Sequence, residues 1–382
     1  MNKQMVTDNF EHRFYEEKEV HVTNREQEIL EILRQNPLIS QNDLADQLGI
    51  TRSSIGVHIT NLMKKGYILG KGYIVREDAY VCVIGGSNMD IQGFPSSKLI
   101  YQDSNVGEVK ISLGGVGRNI AENLVRMGAH TKLISVVGDD VYGQKILDEA
   151  RQIGLDMQDS LILKGEPTST YLSILDETMD MVLAISHMEI YLRMTVEFIK
   201  SKRHIIENAS LCVVDTNIPE DVMNYLLTTF PNTVFFLDTV SSTKAKKVKD
   251  LIGHFHTVKP NKIEAEILTG VQIKNDSDLA IAAKAFHDKG VKQVFISLGE
   301  EGVFYSDGTH MNHLKTPKVR IINATGAGDA FIAALALAHL KGYTIDEAAK
   351  LAAAASIIAI SHENTINPTL TEEKLMSKVK EI

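Results

Sequence analysis

The sequence predicts a mostly parallel α/β sandwich of three layers with a small β lid, preceded by a small helical domain. Three observations predict it. From Tyr80 onward, short β-rich runs alternate with helical segments, the pattern of a parallel sheet covered on both faces. Two stretches, about 91–113 and about 166–186, break that alternation and read as hairpins. Before Tyr80 the texture is that of short amphipathic helices opened by cap residues. The 382 residues divide accordingly into 20–78 and 79–382.

Residues 1–19 are polar and are expected to be mobile. Thr23, with Glu26 three residues on, is a capping-box pattern. Ile29, Leu30, Ile32 and Leu33 then give one apolar helix face, and Pro37 stops the helix. Ser40 is an N-cap for a short helix with Leu44, Ala45 and Leu48 inward, and Gly49 supplies the tight turn. Thr51 caps a further helix with Ile55, Ile59, Leu62 and Met63 expected inward, closed by Gly66. YILGKGYIV then reads as a hairpin about Gly70–Gly72, a wing. The segment resembles the winged helix-turn-helix domains of bacterial transcription regulators. That resemblance implies DNA as a partner, with Arg52, Ser53, Ser54 and His58 turned to the major groove and Lys71 reaching phosphate. Charge agrees: residues 1–50 carry five Lys/Arg against ten Asp/Glu, whereas 51–76 carry five basic residues and no acid. A solvated surface, or a protein–protein module of the same fold, fits the same residues.

In the second part VCVIGG, TKLISVVG, LCVVDT, TVFFLDT, FHTVKPN, QVFISLG and RIINATG are the expected strands. RNIAENLVRMG, YGQKILDEARQIG, AIAAKAFHDKG and GDAFIAALALAHLKG are helical. Ligands in such sheets sit beyond the carboxyl ends of the strands, so the informative loops follow VCVI, VVD, VKP, ISL and IIN. SILDETMDMVLA has its turn at 176–180 between alternating apolar strands. With 91–113 it forms a small sheet that covers the site, or ordinary edge strands.

Composition removes several function classes. The chain has no Trp and is 6% aromatic, too few for base-stacking platforms. Cys82 and Cys212 each lie in an apolar strand-like run and are expected to be buried thiols, neither disulfide nor metal site. Thirteen histidines show no paired ligand spacing for zinc. GVGRNI lacks the third glycine of a dinucleotide fingerprint. The N-terminus has no apolar signal-peptide core, and the longest apolar runs fall short of a membrane span, so a cytoplasmic protein is expected.

The strongest chemical motif is Asn323-Ala-Thr-Gly-Ala-Gly-Asp-Ala330, read as following strand KVRII and opening helix DAFIAALALAHL. Gly326 and Gly328 let bare backbone approach a ligand. A helix N-terminus then offers unpaired N–H groups and a positive dipole end to an anion. Asp329, in the first turn, is placed to take a proton from a substrate hydroxyl. A strand–helix turn with an Asp cap fits these residues equally well. This is no P-loop, because no Lys-Ser/Thr follows the glycines.

NATGAGDAF resembles the C-terminal signature of the ribokinase-like (PfkB) kinases. Three further motifs carry the same resemblance, in order and at strand ends: Gly114-Gly115-Val-Gly-Arg-Asn119-Ile-Ala121, Lys259-Pro-Asn261-Lys-Ile-Glu264, and Ser297-Leu-Gly299-Glu-Glu-Gly302. Together they cover about 80–370 and imply a ribokinase-like fold and an ATP-dependent kinase. By that resemblance Asp329 is the catalytic base, and the N–H groups of Gly326, Ala327 and Gly328 form an anion hole for the transferring phosphoryl. Asn261 and Glu264 organise Mg²⁺ and the phosphates through water. Ser297, Gly299, Gly302, Thr325 and the small residues 352–356 frame ATP. Asn88, Asp90, Gly114, Gly115 and Asn119 hold the hydroxyls of the sugar, an Asp being apt because a carboxylate accepts two hydroxyl hydrogen bonds. Many members carry Asp-Thr where this chain has Asn323-Ala324, and that Asp helps bind a stimulating monovalent cation. The departure argues against a complete potassium site, while backbone carbonyls could still support a monovalent cation.

A narrower resemblance is to the pseudouridine kinases, carried by GGSNMDIQG, YQDSNVGEVKISLGGVGRNIAENL, STYLSILD, MVLAISHM and TVKPNKIEAEILTG. It implies phosphorylation of a ribose 5′-hydroxyl. A homodimer is expected, although no residue pattern fixes the oligomeric state. The lid usually carries an Asp or Asn-Asp pair before Met, and here it reads Ser186-His187-Met188. Two other readings stand beside this one: a kinase of another nucleoside or sugar, and a transcription regulator using its kinase domain as a ligand sensor.

Overall fold

The computed structural model describes residues 22–37, 39–70 and 79–382. The chain separates into two compact units, Met1–Asp78 and Ala79–Ile382. The expectations for residues 1–19, for the second strand of the wing and for Lys71 lie outside the described residues.

In the first unit, α1 (Asn24–Gln35) opens at Thr23, whose Oγ1 accepts from the Glu26 N–H at 3.2 Å while Glu26 accepts from the Thr23 N–H at 2.8 Å. Ser40 caps α2 (Gln41–Leu48), Gly49 closes it at φ +65°, and Thr51 caps α3 (Arg52–Lys64). Ile29, Leu30, Leu33, Leu44, Ile55 and Leu62 are fully buried between the three helices.

Two expectations about α3 are corrected. Met63 is 49% exposed. Ile55, Ile59 and Leu62 set the inward direction, and one residue past Leu62 is a further ~100° around the helix. For the same reason Ser54 and His58 lie half-buried on the flank, whereas Arg52, Ser53, Val57, Thr60 and Lys64 are exposed. Ser54 is also held by the cap, its hydroxyl 2.9 Å from Thr51 Oγ1. Lys65 reaches inward instead, 2.8 Å from Glu26, which is 2% exposed.

The second unit contains fourteen strands among the described residues: β1 (Val81–Ile84), β2 (Asn88–Pro95), β3 (Gly107–Gly114), β4 (Thr131–Ile134), β5 (Val136–Gly138), β6 (Leu161–Leu163), β7 (Thr170–Leu175), β8 (Met181–His187), β9 (Leu211–Asp215), β10 (Phe235–Asp238), β11 (Thr257–Val258), β12 (Gln293–Ser297), β13 (Val303–Ser306) and β14 (Met311–Leu314). Eight form the central sheet in the order β14-β13-β12-β11-β10-β9-β1-β4. It is parallel from β4 to β12 and antiparallel at β13 and β14. Helices α4 (Val116–Arg126), α5 (Lys262–Thr269), α6 (Ala327–Leu340) and α7 (Ile345–Ile360) carry the residues that matter below. Cys82 and Cys212 are register partners on β1 and β9, buried free thiols as the apolar runs predict. No described helix is long and apolar enough to cross a membrane.

A second sheet, β3-β2-β7-β8, is built from the two hairpin-like stretches. Residues paired across strands share a face. One face carries the rows Ser112–Asp90–Tyr171–Ser186 and Lys110–Gln92–Ser173–Ala184. The other carries Ile111–Ile91–Leu172–Ile185 and Val109–Gly93–Ile174–Leu183, and most of these apolar side chains are exposed.

One expected strand is absent. KVRII forms no ladder, and 315–324 is irregular. The edge next to β13 is already taken by β14, and the Ile322 N–H instead donates to the Ile360 carbonyl at 2.9 Å. The apolar side chains of this stretch wall a cavity, which accounts for a β-rich run without a partner strand.

Candidate active site

The motif loops converge at the carboxyl ends of the parallel strands. Beyond β1, the Gly85–Gly86 turn meets the Gly115–Gly117 entry to α4 so closely that a Cβ on Gly115 would lie 2.5 Å from the Gly86 carbonyl oxygen. A Cβ on Gly117 would lie 2.7 Å from the Gly85 carbonyl carbon. Gly115 also sits at φ +97°, open to glycine and costly for other residues. The Arg118 N–H donates to Gly86 at 2.9 Å and locks the crossing.

That crossing sets one side of the site. Asn88 pairs with Gly114 across β2 and β3, and its amide donates to Asp90 at 2.6 Å. A Cβ on Gly114 would approach Asp90 Oδ2 to 2.3 Å, so glycine leaves room for that carboxylate where it stands. Burial raises the Asp90 carboxyl, against the pull of Asn88 and of the Arg118 charge. Arg118 is itself buried and paired with Glu122, which also holds Arg126 at 2.6 Å. Ser186 shares the Asp90 face of the small sheet, while His187 falls on the other.

Asn119, in the first turn of α4, joins this side to the next. Its amide donates to Asp329 Oδ2 at 2.8 Å, and its own Oδ1 is buried without a protein partner. Asp329 is 9% exposed. Burial, with the like charge of Asp238 added, pushes its carboxyl up to about 7, while Asn119 and Lys259 pull it down. A carboxylate so placed is matched to general-base work near neutral pH.

Asp329 stands in the first turn of α6, whose N-cap Gly326 has φ +84° and no side-chain cap. The Ala330 N–H closes the first helical turn onto Gly326 at 3.0 Å, which leaves the N–H groups of Gly326, Ala327 and Gly328 outside the helical ladder. A Cβ on Gly326 would strike the Thr365 carbonyl at 2.1 Å. Ser356 of α7 donates to the Ala327 carbonyl at 2.8 Å and fixes the two helices there.

Next to these amides opens a cavity of about 440 Å³. Ser297, Gly299 and Gly302 form one wall, Val319 and Ile321 another, and Ala353 and Ser356 a third. This size and apolar lining suit an adenine nucleotide. Of the residues expected to frame ATP, Thr325 stands apart: it is exposed, outside the cavity wall, with its N–H on Asn323 Oδ1 at 2.9 Å. Ala352, Ala354 and Ala355 are buried and also do not reach the wall.

Asn261 and Glu264 form a capping box at the start of α5, with N–H contacts of 2.8 and 2.9 Å. Glu264 Oε2 also accepts from Thr239 at 2.6 Å. That oxygen is engaged by both contacts, and the pair offers too few groups for a closed ligand set, so Mg²⁺ would be held here with water completing its shell. No group of three or more His, Cys, Asp or Glu converges as a ligand set among the described residues. The Asn323 amide donates to the Glu363 carbonyl at 2.9 Å, while its Oδ1 accepts from the Thr325 N–H at 2.9 Å.

Sequence reasoning assigned no role to Lys259 or Asp238 individually. Lys259 is 8% exposed and lines the cavity, with its Nζ 3.4 Å from Asp238 Oδ2. Burial lowers its affinity for the proton, but Asp238, Asp329 and Glu264 outweigh that and keep it a cation. The signal was adjacency in the sheet, since Asp238 ends β10 and Lys259 follows β11.

Comparison with known proteins agrees with this geometry. The profile of the pfkB family of carbohydrate kinases matches residues 78–372, and a winged helix-turn-helix DNA-binding profile matches 23–68. The chain is 40% identical over 307 residues to the pseudouridine kinase of Escherichia coli (strain K12), covering 80% of this chain and 98% of that one. It is 39% identical over 359 residues to the uncharacterized sugar kinase YeiI of the same organism, covering 94% and 99%. A solved structure from Clostridium perfringens, whose sugar-kinase assignment is provisional, superposes with a TM-score of 0.74 at 43% identity, over 80% of this chain and 97% of that one.

Proposed function

The chain belongs to the pfkB family of carbohydrate kinases, and from that premise we propose that it transfers the γ-phosphoryl of ATP to the ribose 5′-hydroxyl of a nucleoside, pseudouridine first. The observation that carries this reading is the 2.8 Å contact between Asn119 and Asp329, which joins the hydroxyl-binding loops to a carboxylate raised toward neutrality. Asn88, Asp90 and the free Oδ1 of Asn119 hold sugar hydroxyls. Asp329 takes the proton of the attacking hydroxyl, and the open amides at 326–328 receive the charge of the transferring group. Mg²⁺, held through water by Asn261 and Glu264, neutralises phosphate charge. The polar face of the small sheet closes over the acceptor and excludes water, favouring transfer over hydrolysis. Ser186, in the Asp90 row, faces the base and sets its selection. Asn323 stands where many relatives carry the cation-binding Asp, and its amide is engaged with the Glu363 carbonyl, so in this reading the enzyme works without a monovalent cation.

The apolar face of the small sheet supports a homodimer. It presents Ile111, Leu172, Ile185, Val109 and Leu183 in two rows without charge, and a two-fold axis lays such a surface on itself.

The test is ADP formation, with product identified by mass, across pseudouridine, other nucleosides, pentoses and hexoses. Phosphorylation of pseudouridine at the 5′ position with the highest kcat/KM supports the reading. Preference for a free hexose would overturn the substrate, and ATP turnover unchanged in Asp329→Asn would overturn the base.

A second reading rests on the first unit. Its profile match and the exposed Arg52, Ser53, Thr60 and Lys64 of α3 support DNA binding with the kinase substrate as effector. DNA affinity that does not change on adding any phosphorylated substrate would remove the effector part.

A further inference from the structure

We propose that Tyr191 is a positioning residue for the acceptor: its phenol pins the chain where it enters β2 and so fixes where Asn88 and Asp90 stand. This rests on the kinase reading and deepens it, since the base, the amides and the Mg²⁺ pair leave that placement open.

The chain passes from the central sheet to the small sheet through Gly85, Gly86 and Ser87, between the end of β1 and the start of β2. Side chains from other elements reach in to hold that step. The Gly86 N–H donates at 2.7 Å to Oδ2 of Asp215, which ends β9. The next peptide group depends on Tyr191. The Ser87 N–H donates to the phenol oxygen, and the phenol donates to the Ser87 carbonyl at 2.5 Å. One hydroxyl thereby satisfies both backbone groups of a fully buried residue. Asn88 follows directly, and its amide holds Asp90 at 2.6 Å.

Tyr191 is itself firmly seated. It lies in the 3-10 turn Glu189–Arg193, just after β8 leaves the small sheet, and is 3% exposed. Its hydroxyl thus ties the exit of the last strand of that sheet to the entry of the first. A third passage meets them, because the Met89 N–H donates at 2.9 Å to the carbonyl of Ser169, immediately before β7. Burial raises the phenol, so it stays neutral and remains a donor. The hydroxyls of Ser135 and Ser169 act on it from the side, and with Ser87 Oγ they are buried without a close partner. A tyrosine that only filled the core could leave its hydroxyl to such neighbours, whereas here it goes to the Ser87 backbone.

The consequence is specific to the acceptor. Neither Ser87 nor Tyr191 lines the nucleotide cavity. Removing the hydroxyl keeps the ring in the core and leaves two buried backbone groups unpaired. The chain relieves that cost by shifting Ser87 toward other partners, and Asn88 and Asp90 move with it. The ribose hydroxyls are then misplaced, while ATP, Asp329 and the open amides keep their positions.

Such a role predicts a split between the two substrates. Steady-state kinetics, calorimetry with AMP-PNP and hydrogen–deuterium exchange are run on the full chain for wild type, Tyr191→Phe and Ser135→Ala, with melting curves to verify folding. In Tyr191→Phe the KM of the nucleoside rises about tenfold, the weight of one or two neutral hydrogen bonds, whereas AMP-PNP affinity and kcat each change by less than about threefold. Exchange in the peptide covering 84–90 becomes faster. Ser135→Ala removes a hydroxyl from the same buried place without touching the Ser87 backbone, and its KM stays within about twofold of wild type. Equal rises in both variants, or equal losses for nucleoside and AMP-PNP, would make Tyr191 a core residue only, and an unchanged KM would exclude the role. If Tyr191→Phe does not fold, the Ser87 amide of wild type is followed by NMR: slow exchange supports the clasp, and exchange at the rate of a free peptide overturns it. Should wild type phosphorylate no nucleoside while exchange at 84–90 still quickens in Tyr191→Phe, the kinase reading falls and the clasp stands.

Discussion

Replacing Asp329 by Asn should weaken catalysis and strengthen the fold at once, with a pH signature. Burial and Asp238 move this carboxyl from 3.8 to about 7. A carboxyl raised in the folded state gives stability that is fully present below its unfolded pKa and is lost as pH rises through its folded one. At about 1.36 kcal/mol for each pH unit between the two values, the ionisation penalty is about 4 kcal/mol above pH 7. The amide of the variant has the same shape, can still accept from Asn119, and carries no such penalty. Loss of one counter-charge to Lys259 trims the gain, so about 4 kcal/mol is an upper bound. Urea unfolding at pH 4.5, 6 and 8 reads it out. The variant should be ahead by no more than about 1 kcal/mol at pH 4.5 and by about 2–4 kcal/mol at pH 8. ADP release with saturating nucleoside should fall by orders of magnitude in the variant. In wild type kcat/KM should rise about tenfold from pH 6 to pH 8, because the base must be ionised. A stability difference independent of pH, or normal turnover in Asp329→Asn, would refute the argument.

Three further outcomes are expected. Exchanging potassium for tetramethylammonium should change turnover by less than about twofold, since Asn323 already occupies the Glu363 carbonyl; a large potassium stimulation would count against this. Ser53→Ala with Lys64→Ala should weaken promoter DNA binding and flatten its salt dependence, whereas His58→Ala, on the flank, should do less. Gel shifts at several salt concentrations decide it, and the reverse ranking would show that another face meets the duplex. Ile111→Asp with Leu183→Asp should convert a dimer to a monomer in light scattering without unfolding it, and an unchanged mass would move the interface elsewhere.

Much of the fold was legible because the signals were local. Thr23, Ser40 and Thr51 announced their helices through the chemistry of a hydroxyl three residues before an open N–H. The turn at 176–180 between alternating apolar residues gave the β7–β8 pair its place. The misses have physical causes too. KVRII has the apolar content of a strand, yet a ligand cavity requires the same side chains, and composition cannot separate the two uses. Met63, Ser54 and His58 were misjudged because a helix face is set by angle, and one residue shifts it by ~100°. The pairing of Lys259 with Asp238 depends on β10 and β11 being neighbours, and strand order is not written in either segment. Asp329 stood out in the sequence as a helix-opening acid, but its raised carboxyl comes from burial and from Asp238, far away along the chain.

The seam between Gly85–Gly86 and Gly115–Gly117 has a consequence for redesign. Two backbones touch there with no side chain between them, so the floor beneath Asn88 and Asp90 is defined by missing atoms. At Gly115 and Gly117 any side chain would strike backbone, so a mutagenesis library aimed at new acceptors should leave those codons fixed. Diversity belongs overhead, at Tyr171 and Ser186 on the sheet that covers the floor, where a changed side chain alters what fits and leaves the foundation alone.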